Sequence, residues 1–204
     1  MSYGYLGDTS PSIKQQVKNA GVLSVSNVFD LEGKGQLGGS LELIEEQTFS
    51  SSSAVEFTAI QENKYDVHFM QIVATEMAGN GRVYLSNNGG TSYITSGYQE
   101  AGQYGFVNGS NGEQKGTSNG YFSDIGAGAT GVEKNQYLYI YNAGNSSKYT
   151  FATFHAFGDH STGVMVYFFG GNVHPTAETI NAIKIAPVTN TMTGTIKLYG
   201  VKQL

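Results

Sequence analysis

Histidines and carboxylates are the side chains of this sequence best suited to chemistry, and their spacing decides what they can do. Four histidines are present: His68, His155, His160 and His174. His155 and His160 lie close together in FHAFGDH, with Asp159 beside them. Three such donors can hold a metal only if they converge. If His155 ends a strand and Asp159-His160 lie in the next turn, the spacing guarantees no convergence, so no metal site is assigned. His68 falls inside a long strand and reads as a partly buried, hydrogen-bonded residue. Glu45 and Glu46 follow a strand directly and point to opposite sides, while Glu42 and Glu56 mark solvent faces. Glycoside hydrolysis needs two convergent acids, one with a raised pKa, and the sequence offers no such pair. Nucleophile-elbow, phosphate-loop and zinc-helix motifs are missing. The run GAGATG (126–131) echoes a dinucleotide fingerprint but follows no parallel strand, so it reads as a loop. The expectation is a non-enzymatic protein with no catalytic, cofactor-binding or metal-binding residue.

Binding residues are easier to find. Tyr137, Tyr139 and Tyr141 alternate with Leu138 and Ile140, and in a strand alternate residues share a face. Leu138 and Ile140 are the better core candidates, which turns the tyrosines toward the other side. A tyrosine row can line a subunit interface, pack against more of the same domain, or stack on sugar rings. All three uses stay open.

The elements that position these residues change along the chain. Residues 1–39 read as an arm with one or two short helices, and 40–204 as one β-domain. Ser10-Pro11 is a helix start, with Ile13 and Val17 on one face. A second short helix runs from Ser26 or Asn27 to about Glu32 and presents Val28, Phe29 and Leu31. Helices this short need another surface to persist. Tyr3, Tyr5, Leu6, Ile13, Val17, Val28, Phe29 and Leu31 are therefore the expected partner contacts. From Ser40 the hydrophobic period becomes two, as strands require. Leu41–Ile44, Val55–Phe57, Tyr65–Thr75, Arg82–Ser86 and Ser92–Tyr98 read as strands, the last two flanking the turn Asn87-Asn88-Gly89-Gly90. Residues 102–131 are glycine-rich and read as long loops with short strands near Tyr104–Phe106 and Tyr121–Ser123. Strands return at Gln136–Tyr141, Tyr149–Phe157, Val164–Phe169, Ala182–Ala186 and Thr193–Val201. About ten strands and little helix predict an all-β fold: a single antiparallel β-sandwich, jelly-roll-like.

Composition narrows the partners. The 204 residues carry a net charge of −5, and only 13% are charged, against about a quarter in an average domain. The eleven Lys and Arg are scattered. Nucleic-acid or membrane-surface binding needs a basic cluster, so neither partner is expected. Polarity comes from hydroxyls, amides and 28 glycines, a surface that repels neighbours weakly and suits assembly. No cysteine is present. Met1 to Gly21 lacks the apolar core of a secretory signal, which predicts synthesis in a cytosol.

The opening YGYLG (Tyr3 to Gly7), the stretch from Ile13 to Ser50, KYDVHFMQ (Lys64 to Gln71), YNAGNSSKYTF (Tyr141 to Phe151) and the closing GTIKLYGV (Gly194 to Val201) resemble small virion structural proteins of tailed bacteriophages, in particular marine and cyanobacterial ones. The resemblance implies a component of the outer surface of a virus particle, synthesised in the host cytoplasm. Two placements follow from it. One is a capsid decoration (cement) protein, a homotrimer whose arm binds the major capsid protein or other virion proteins. The alternative is a tail, fibre or baseplate-associated protein whose sandwich binds host surface polysaccharide.

Overall fold

The computed structural model describes residues 26, 40–125, 133–161 and 164–202. The chain divides into two compact units, Met1–Ser40 and Leu41–Leu204. In the first, Ser26 is helical and exposed; the other arm positions named above lie outside the described residues.

The second unit is all-β and antiparallel. Its strands are β1 (Leu41–Ser52), β2 (Val55–Phe57), β3 (Val67–Ser86), β4 (Tyr98–Phe106), β5 (Asn111–Asn119), β6 (Ser123–Ile125), β7 (Glu133–Tyr141), β8 (Thr150–Ser161), β9 (Val164–His174) and β10 (Ala182–Val201). They hydrogen-bond in the order β1-β10-β3-β7-β8-β9-β4-β5, with β2 also pairing β10 and β6 also pairing β3.

Three expectations need correction. The expected strand Tyr65–Thr75, from Val67 on, and Arg82–Ser86 are parts of one twenty-residue strand, β3, and Ala182–Ala186 and Thr193–Val201 are parts of another, β10. Pro187, which has no N–H to donate, and Gly79, with φ of +74°, made each look like two strands. The pairing absorbs both through register shifts between Pro187 and Thr189, Thr189 and Met192, and Thr193 and Thr195, as β-bulges do. Ser92–Gly97 is not a strand: after the Asn87–Gly90 turn the chain crosses to β4, with Ile94 N donating to Leu85 O.

The glycine-rich middle is the third correction. Residues 98–119 form a regular hairpin, β4–β5, rather than loops. Its turn is closed by Asn108 Oδ1 accepting from Ser110 N, and by Gly109 at φ +88°. Glycine weakens strands when nothing packs over it, but here rings from neighbouring strands do. Tyr167 lies over Gly105, Tyr104 over Gly112, and Phe154 over the facing pair Gly170 and Gly102.

Alternation sorts the residues into two faces. The inner face carries the core: Met70, Ile72, Leu138, Ile140, Phe154, Phe168, Ile196 and Leu198 pack with Val83, Leu85, Phe57, Phe122, Ile125 and Ile185. Fully burying a side chain of this size stabilises the fold by about 1.5–3 kcal/mol.

Candidate binding face

The other, outer face of β10-β3-β7-β8-β9 is built from the odd-numbered partners of the core residues. Cross-strand register sets them in rows. One row runs Tyr199, Phe69, Tyr139, Thr153, and its neighbour Gln71, Tyr137, His155, Phe169, Gln103. A third continues through Asn135, Phe157 and Tyr167 to Gly105. The rings touch one another: Phe69 lies 4.9 Å from Tyr139 and 5.9 Å from Tyr199, centroid to centroid, and Tyr137 lies 5.7 Å from His155. Tyr167 and Phe169 are parallel within 9°.

This face is open to water. Phe157 is 48% exposed, Phe169 46% and Tyr167 41%, and Phe151, Tyr149 and Met165 are similarly exposed. Apolar rings are ordinarily the first groups removed from solvent, and a contiguous exposed set marks an interaction surface. Polar groups are interleaved: Tyr137 Oη and His155 Nδ1 are 3.3 Å apart, as are Tyr141 Oη and Thr153 Oγ1. Beside Phe169, the small residues Ala101, Gly102 and Gly170 leave a shallow groove of about 420 Å³, lined also by Gln103, Glu113, Gln114 and Lys115.

The structure places Tyr137, Tyr139 and Tyr141 on this face, with Leu138 and Ile140 fully buried behind them. Sequence reading missed Phe151, Phe157, Tyr167 and Phe169. The signal was available in the alternation of β8 and β9, but both faces of those strands are aromatic, so which side was core stayed unmarked.

The histidines do not gather. His155 is on the outer face against Tyr137, and His160 points to the other side, its ring 5.0 Å from Phe106. His68 is fully buried, with Nε2 2.8 Å from Ile60 O, and burial lowers its pKa. His174 pairs with Glu178 at 2.6 Å.

The carboxylates hold a surprise. No convergent acid pair was expected, yet Glu100 of β4 and Asp124 of β6 share one partner. Gln114 Nε2 donates to Glu100 Oε2 at 3.3 Å and to Asp124 Oδ2 at 3.2 Å. Burial, then the Asp124 charge, pushes the Glu100 pKa up to about 7. Burial also raises the pKa of Asp124, against hydrogen bonds from Asn80 and Gln114 and the charges of Arg82 and Lys134. Both acids are buried. Twenty-four positions and a whole strand separate them, and no short motif could announce the pair.

Over the described residues, fold and face together define an all-β protein with an exposed aromatic sheet face. Comparison with protein-family models, curated proteins and solved structures finds no match.

Proposed function

We propose that the chain is a non-enzymatic structural protein of a virus particle, a capsid decoration protein whose aromatic sheet face is covered by a neighbouring subunit or by the capsid. The observation that carries this reading is the exposure of Phe151, Phe157, Tyr167 and Phe169 on one sheet face. Covering rings of this size removes apolar area worth about 25 cal/mol per Å². The low charge of the chain leaves little repulsion to oppose association, and the likeness to phage virion proteins points the same way. In this reading the β-domain is a jelly-roll-like sandwich. Its support is that β3 and β10 pair with β7 and β1 over one half and with β6 and β2 over the other, with bulges between, which is how strands pass from one layer to another.

Two experiments test the reading. Removing residues 1–39 leaves a folded domain that no longer decorates particles; normal decoration by the shortened chain refutes the role of the arm. The triple change Phe157→Ser, Tyr167→Ser, Phe169→Ser keeps the circular-dichroism spectrum and abolishes self-association and particle binding, read by sedimentation. Unchanged association refutes the role of the face.

A second reading, a tail-associated protein binding host polysaccharide, is favoured by one observation. The parallel Tyr167 and Phe169 rings border a groove lined by Gln103, Glu113 and Lys115, a combination of aromatic surface and hydrogen-bonding side chains that suits sugars. Binding on an array of host glycans, weakened by Phe169→Ala, supports it; silence on the array removes it.

A further inference from the structure

Glu100 is a buried and poorly compensated charge. It is 5% exposed, and none of the ion pairs found among the described residues involves it. Its Oε2 accepts from Gln114 Nε2 at 3.3 Å and Asn119 Nδ2 at 3.2 Å, longer than the 2.7–2.9 Å typical of a charge-assisted bond. The Asp124 backbone N–H also favours the charged form of Glu100, but Glu100 Oε1 has no hydrogen-bond partner, nor has Asp124 Oδ1.

A third buried polar side chain neighbours Glu100 across the strands. Asn172 of β9 stands directly across from Glu100 in the β4–β9 register, on the same inner face. It is 4% exposed, and neither its Oδ1 nor its Nδ2 has a hydrogen-bond partner. Burying an amide without partners is costly, and such a group calls for an unseen water or ion. The Gln114 and Asn119 amides can turn over without changing shape, since their O and N atoms are interchangeable in outline. Turned, they would offer oxygens to the space they now fill with N–H groups.

From this geometry we propose that Glu100, Asp124 and Asn172, completed by the amide oxygens of Gln114 and Asn119, form a site for a hard divalent cation of calcium type. Two carboxylates with neutral oxygens are the donor set such an ion takes. Arg82 and Lys134 face Asp124, so the bound ion chiefly answers the charge of Glu100. Gln114 and Asn119 lie on β5, the end strand of the sheet, and are only half-buried, which gives the ion a way in. The site lies on the inner face and shares only Gln114 with the groove beside Phe169.

The test uses the full chain, freed of metal with EDTA and held at pH 8. Calcium at a hundredfold excess over its Kd raises the Tm by about 5–10 °C. Terbium binds with luminescence sensitised by tyrosine and displaced by calcium. Glu100→Gln, which keeps shape and removes charge, loses both responses while melting cooperatively; Asn172→Ala binds terbium at least tenfold more weakly. A wild-type melting curve indifferent to calcium, as when only water fills the space, overturns the proposal. So does an equal calcium response in Glu100→Gln.

Discussion

Tyr98 and Glu100 stand two positions apart on the inner face of β4, both buried, and differ in how their polar atoms are met. The Tyr98 hydroxyl donates to Ile94 O at 3.2 Å and accepts from Leu85 N at 3.1 Å, so it clamps the Ile94 crossing onto β3. Tyr98→Phe leaves the buried Leu85 N–H and the half-buried Ile94 C=O without this partner and should cost about 1–3 kcal/mol, read as a lower urea midpoint. Glu100 behaves differently with pH. Its folded pKa near 7 lies above the model-compound value of 4.5, so between these pH values the folded state holds the proton and the unfolded state does not. The contribution is fully present below about pH 4.5 and is lost as pH rises through 7. In chelator, the stability difference between wild type and Glu100→Gln should shift against the wild type by up to about 3 kcal/mol over that window. His68, whose pKa is lowered by burial, acts in the opposite direction in both proteins, so the comparison cancels it. A flat difference between the two denaturation series would contradict the assignment.

Strands and turns follow from local rules in some places and from their neighbours in others. In β7 the strict alternation of Tyr with Leu and Ile names both faces in advance. In β4 and β5 the alternation is hidden, because glycine at 102, 105, 112 and 116 looks like loop sequence until the rings of Phe154, Tyr167 and Tyr104 are seen resting on three of these positions. The outer-face residues Phe157, Tyr167 and Phe169 were obscure for a related reason: β8 and β9 carry aromatics on both sides, and only the cross-strand register separates Phe154 and Phe168 from them. The glycines make a testable contrast. A Cβ on Gly170 would lie 2.5 Å from Ala101 O and 2.6 Å from Gly102 Cα, whereas at Gly171 the nearest atom is Ala152 O at 3.4 Å. Gly170→Val should therefore destabilise by about 1–3 kcal/mol or more, while Gly171→Ala should stay within about 0.5 kcal/mol, both measured by urea denaturation.

At the scale of the whole molecule, the sheet has a largely apolar inner side, a wet aromatic outer side and, at β5, an edge that discourages pairing. The end strand β5 carries Glu113 and Lys115, paired at 2.8 Å, among glycine, serine and asparagine, the sort of edge that resists strand addition. This leaves the face as the surface for the association proposed above. Attraction between aromatic faces is not an ion-pair effect, so the proposed self-association should persist as sodium chloride is raised and tighten in ammonium sulfate; dissociation by salt would point to another surface.

The place of β10 carries a consequence for how the protein comes into being. Ala182–Val201 is inserted between β1 and β3 and also holds β2, so the two earliest strands have no hydrogen-bonded bridge to β3 until these late residues exist. A nascent chain halted on the ribosome before Ala182 should be digested readily by protease. Once the last strand emerges, native structure should form in milliseconds to seconds rather than microseconds, because joining positions this far apart in sequence is slow.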